Sequence, residues 1–107
     1  EALEMMALGK KVILTNYSAH TEFATEKNSS LIEIRQTEDA YDGIWFHGNG
    51  SWAELGESQV EQTAEFMRKH HDSEKTVNRD GVSTANNFTW ENSAKKALSF
   101  LTMMQGF

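Results

Sequence analysis

The chain has 107 residues, no cysteine, and sixteen acidic against ten basic side chains, for a formal charge of −6. This length fits one domain; the lack of cysteine excludes disulfides and thiolate chemistry, and the acid excess works against a phosphate backbone as partner. Hydrophobic residues make up only 38%, a deficit that points to apolar surface supplied by a neighbour.

The opening "EALEMMALG" reads as the end of a helix. Leu3, Met6 and Ala7 fall on one stripe at helical spacing, and Gly9 is a natural left-handed stop. "KVILT", Lys11 to Thr15, is β-branched and continuously apolar in its middle, the pattern of a strand covered on both faces. "SAHTEFAT" suits a short helix capped by Ser18. "SLIEI", Ser30 to Ile34, is a second, more alternating strand. Helix, strand, helix and strand at this spacing define an α/β unit with parallel strands.

Arg35 to Ser58 holds four glycines and brings Tyr41, Trp45, Phe46 and Trp52 close together in sequence. It reads as a long structured loop with a small hairpin, and loops of this length serve function or cover something. The aromatics are expected to cover the core beneath the loop; a stacking platform for a sugar ring is the alternative. "ESQVEQTAEFMRKHH" is a helix with Val60, Ala64, Met67 and His71 on one stripe, acid at its start and base at its end. Ser58 and Glu61 have capping-box spacing. "DSEKTVNRDGVSTANN" is weakly patterned, with room for one helical turn. The final helix starts at "FTWENSAKKALSFLTMM", capped by Thr89 and ended by Gly106. Its expected buried stripe is Trp90, Ala94, Ala97, Leu98, Leu101 and Met104.

The chain thus divides into a helix–strand–helix–strand unit (1–34), an aromatic and glycine-rich loop (35–58) and a helical segment (59–107), all within one domain. Lys10–Lys11 and Arg68–Lys69 are pairs rather than stripes, so no nucleic-acid partner is expected. No apolar run reaches membrane length, no transmembrane segment or signal peptide is visible, and the cytoplasm is the expected location. His70 and His71 are adjacent in a helix and point about 100° apart, so they do not clamp one metal together. His20 lies near the carboxyl rim of strand 11–15, where a neighbour of the helix cap and a site residue are both tenable. His47, beside Gly48, reads as a surface imidazole.

Ligands of open parallel sheets bind beyond the carboxyl ends of the strands, and the helix before a strand points its amino end at that rim. A glutamate there, Glu4 or else Glu1, is placed to accept two hydrogen bonds from a vicinal diol such as a ribose. The helix dipole alone also accounts for a glutamate in a first turn.

"EMMALGKKVILTN" resembles the second half of the donor-site signature of retaining GT-B glycosyltransferases of the family 4 (group 1) type. Glu4, Ala7, Gly9 and the "VIL" run match it in register. "SAHTEF" places Glu22 where such enzymes often carry a glutamate. "YDGIWFHGNGSWAEL" is similar to a segment of some bacterial members, and "FTWENSAKKALSFL" resembles their closing helix. Lys10 and Lys11 depart from the small residue and proline common at that turn. The resemblance implies part of a doubly wound, Rossmann-like parallel sheet with flanking helices, the C-terminal portion of a nucleotide-sugar-binding domain. It also implies that the earlier glutamate of the signature, the cations that hold the donor diphosphate and the N-terminal acceptor domain all lie upstream.

The implied activity is transfer of a sugar from a nucleotide-diphosphate sugar to an acceptor hydroxyl with retention, with no cofactor and no obligatory metal. This chain alone is then expected to be catalytically incompetent. Glu4 would hold the donor ribose, Asn16, Tyr17 and Ser18 would line the donor site, and Glu22 is a secondary candidate. A strand 11–15 lacking one neighbour is expected to drive self-association, as an isologous homodimer. Two other readings stand beside this one. The first is a free-standing α/β interaction or ligand-binding module that uses the aromatic loop 41–52; the second is a small-molecule hydrolase or mutase.

Overall fold

A computed structural model describes residues 1–106. It is mixed α/β, with two separate two-stranded sheets. Helix α1 (Ala2–Ala7) leads to strand β1 (Ile13–Thr15), a 3-10 helix (Ser18–Glu22) and strand β2 (Ser30–Ile32). Strands β3 (Thr37–Tyr41) and β4 (His47–Ala53) follow, then helices α2 (Glu57–Asp72), α3 (Arg79–Asn87) and α4 (Trp90–Gln105).

The first four elements form as their residues dictate. Met6 is completely buried on the inner face of α1. Gly9 ends that helix with φ +71°, and a Cβ there would lie 2.8 Å from Val77 Cγ1. Glycine therefore serves both the left-handed turn and the close packing. β1 and β2 are parallel, with Ile13 opposite Ser30, Leu14 opposite Leu31 and Thr15 opposite Ile32. Both strands are shorter than the segments Lys11–Thr15 and Ser30–Ile34 expected for them, and all three residues of β1 are only half-buried. The expected cover on both faces of Lys11 to Thr15 is thus incomplete: Lys11 is exposed and residues 12–15 are half-buried. Ser18 does not cap the following helix. It lies inside the 3-10 helix with φ +52°, and Tyr17, in extended conformation, takes the cap position.

The segment 35–58 is an antiparallel hairpin with an irregularity between Asp39 and Tyr41. One carboxylate oxygen of Asp42 organises its tip, accepting from the N–H groups of Ile44, Trp45 and Phe46 at 2.8, 2.8 and 2.9 Å. These bonds hold the Asp42 carboxyl below its ordinary value. The hairpin aromatics do not cover the core. Trp45 is 83% exposed and Tyr41 65%, while Phe46 and Trp52 stack edge-on at 5.6 Å on the hairpin itself.

Helix α2 turns a different face inward from the one its apolar residues mark. Gln59 is buried and Gln62, Thr63, Ala64, Phe66 and His70 are half-buried; of the expected stripe only Ala64 is shielded, while Val60, Met67 and His71 are exposed. Polar bonds choose this face. Gln59 Oε1 accepts from Gly56 N–H at 3.0 Å and its Nε2 donates to the Glu33 carbonyl at 3.0 Å. The helix therefore starts from Gly56 rather than Ser58. Helix α3 is a full nine residues rather than one turn, and it packs on α1.

Thr89 caps α4 as expected, its hydroxyl accepting from Asn92 N–H at 3.1 Å. The stripe on α4 is amphipathic but not buried: every described residue of the helix is exposed, Trp90 at 92%. Nothing among the described residues packs over it. The Cα radius of gyration, 17.4 Å, reflects the projecting helix and hairpin; a compact chain of this size has about 13 Å. The buried hydrophobic core is small: Met6, Ala24, Ile32 and Ala40.

Candidate functional site

The first residues of helix α1 border the flank of strand β1. A groove of about 790 Å³ opens there, lined by Glu1, Glu4, Met5, residues 12–14 and His20. Two features shape it. Among the described residues no strand pairs with the outer edge of β1, and Val12–Leu14 form one wall. The 3-10 helix supplies the other, because it swings His20 back onto the strand. His20 Nδ1 lies 3.0 Å from Thr15 Oγ1 and 3.2 Å from the Thr15 carbonyl oxygen. This pairing fixes the ring and leaves Nε2 as the end available to a ligand.

Glu4 lies in the first turn of α1 and is largely exposed, 3.6 Å from the chain's amino group. Its carboxylate, that of Glu1 and the His20 imidazole are the ionisable side chains that line the groove. A carboxylate offers acceptors only; an imidazole offers a donor or an acceptor by tautomer. Together they suit a ligand bearing vicinal hydroxyls.

Of the five residues expected at the donor site, Glu4 alone lines this groove. Asn16 continues the β1 ladder through its N–H to the Ile32 carbonyl at 2.9 Å, with its side chain exposed. Tyr17 is half-buried and committed elsewhere: its hydroxyl donates to the Ser51 carbonyl at 3.1 Å and lies 3.0 Å from Ser51 Oγ. It ties the rim of β1 to the hairpin. Ser18 and Glu22 are exposed at the two ends of the 3-10 helix, outside the groove. His20, weighed in the sequence as a cap neighbour or a site residue, is the one that joins Glu4. Its signal was position alone: five residues after Thr15, where a 3-10 turn brings a side chain back to the strand end.

Among the described residues no group of three or more His, Cys, Asp or Glu side chains has metal-site geometry, and no helix is long and apolar enough to cross a membrane. Comparison with protein-family models, curated proteins and solved structures finds no match to this chain.

Proposed function

We propose that this chain is the C-terminal portion of the nucleotide-sugar-binding domain of a retaining GT-B glycosyltransferase, and that Glu4 holds the donor ribose. The observation that carries this reading is that Glu4 and His20 line one groove beside β1. The parallel β1–β2 pair supports it too, as the start of a doubly wound sheet. The open edge of β1 is where a further parallel strand of such a sheet would pair. In this reading the acceptor-binding half and the diphosphate ligands lie outside these residues, so the chain alone carries no transferase activity. Calorimetric titration with a nucleoside diphosphate tests the ribose contact. Glu4→Ala is expected to weaken binding by about 1.5–3 kcal/mol, the range for a hydrogen bond to a charged group. Unchanged affinity returns Glu4 to a helix-dipole role.

A second reading has its own observation. Tyr41, Ile44 and Trp45 are each at least 65% exposed around a hairpin tip that Asp42 holds rigid. A rigid apolar tip suits an interaction module that inserts aromatics into a partner. Trp45→Ala abolishing partner capture, with donor binding intact, is the result that favours it.

A further inference from the structure

We propose that the cleft at the amino ends of β1 and β2 binds a small oligophosphate, a ligand with two or more linked phosphate groups. This cleft is distinct from the Glu4 groove, with which it shares only Val12 among its lining residues. It has a volume of about 480 Å³, within the range of small-molecule sites. Its cations come from four separate parts of the chain: Lys11 before β1, Lys27 before β2, Lys69 in α2 and Arg79 at the start of α3. A second groove shares Lys11 and His70 and adds Lys10 and Lys75. Six of the ten basic side chains of an acidic protein thus gather on one side. None of the six is in an ion pair among the described residues.

Helix-end chemistry explains only part of this gathering. Lys75 Nζ donates to the carbonyls of His70 and His71 at 3.0 and 3.4 Å, and Ser73 Oγ donates to the His70 carbonyl at 3.3 Å. These bonds occupy the negative end of α2, which otherwise would repel an anion. Lys27 and Arg79 have no such duty, and α3 turns its amino end, the positive pole, toward the same space. Two acids, Glu26 and Asp80, also line the cleft, so the four cations outnumber them two to one.

The polar floor is bonded within itself. Ser30 Oγ lies 2.8 Å from His70 Nε2, and Lys11 Nζ donates to Ser73 Oγ at 3.2 Å. Partial burial, then Lys11, Lys69 and Lys75, hold the His70 pKa below its ordinary value. The imidazole is therefore neutral near pH 7, and a bound anion, by offsetting those lysines, raises its pKa.

Proton–nitrogen correlation spectra of the 107-residue chain, titrated with inorganic pyrophosphate, test the site. Saturable shifts are expected at Ser30, His70 and Asn78, with affinity in the millimolar range or better. The His70 titration midpoint should rise with ligand. Lys11→Ala and Lys69→Ala should each weaken binding roughly 5- to 10-fold. Lys96→Ala, on the exposed helix α4, should leave binding unchanged, and each variant's spectrum reports its fold. Four results overturn the proposal. These are no saturable shift, shifts at Leu14 and His20 instead, equal weakening by Lys96→Ala, and orthophosphate binding as tightly as pyrophosphate.

Discussion

Asn78 donates from Nδ2 to the main-chain carbonyl of Asn28 at 2.8 Å, joining the start of α3 to the turn before β2. The same amide also donates to the Lys10 carbonyl at 3.0 Å, and its Oδ1 caps α3 through Gly81 N–H at 2.9 Å. Asn28 repeats the device. It is 3% exposed, accepts from Thr25 N–H at 2.8 Å, and donates to the Phe23 carbonyl at 2.7 Å and Thr84 Oγ1 at 2.9 Å. Two asparagines thus do in this small protein what a larger apolar core does elsewhere.

Removing Asn28 takes the partner from the Thr25 N–H and the Phe23 carbonyl at a part-buried place. Asn28→Ala is expected to cost about 1–3 kcal/mol, because part-buried groups left without a partner lose desolvation energy. Urea unfolding followed by tryptophan fluorescence measures it.

Gly81 is a helix-interior glycine whose replacement by alanine normally gains about 1 kcal/mol. Here a Cβ would run into the Asn78 amide, with Asn78 Cγ only 2.8 Å away. Three hydrogen bonds hold that amide in place, so it does not swing aside freely. Gly81→Ala is expected to destabilise the protein by about 1–2 kcal/mol. In an Asn78→Ala background the same change should stabilise it. A double-mutant cycle reads the sign reversal directly.

The depressed pKa of His70 has a defined consequence for stability. The unfolded chain binds the proton more readily than the folded one, so stability is full above the unfolded value near 6.5 and falls as pH drops toward the folded value. His70→Gln keeps a partner for Ser30 and removes the titration. It should flatten the fall in stability between about pH 7 and pH 5, measured by urea midpoints across that range.

The open edge of β1 and the bare face of α4 leave apolar surface in water. Val12 carbonyl and Asn16 N–H bond to β2, so in a parallel ladder the main-chain groups of Ile13 face the other side, where His20 meets only the Thr15 carbonyl. Edges of this kind recruit other strands. The chain is expected to sediment as a dimer or larger at micromolar concentration. A monomer with slow amide exchange at Ile13 would mean that the edge is covered from within the chain.

Local chemistry made the first third of the fold legible. The β-branched "VIL" run, Gly9 and the short spacing to "SLIEI" lead to the parallel pair, and Thr89 announces its helix. Burial was not legible in the same way. The stripe of α4 was read correctly as apolar, but periodicity does not say whether a partner is present to cover it. On α2 the apolar residues pointed the wrong way because Gln59, a polar residue, decides the face. Helix α3, "RDGVSTANN", has almost no apolar pattern; its Asn78 cap and its packing on α1 make it helical. The basic cleft was invisible because Lys11, Lys27, Lys69 and Arg79 are far apart in sequence.

The ribose contact proposed for Glu4 is tested most directly by comparing a ribonucleoside diphosphate with its 2′,3′-dideoxy counterpart in amide-resolved titrations. The diphosphate is common to both, so any cleft that holds phosphate contributes equally. The ribonucleotide is expected to shift Glu4, Leu14 and His20 and to bind more tightly by about 1.5–3 kcal/mol, a preference that vanishes in Glu4→Ala. Equal binding of the two nucleotides, or a ribose preference that survives Glu4→Ala, would contradict the assignment.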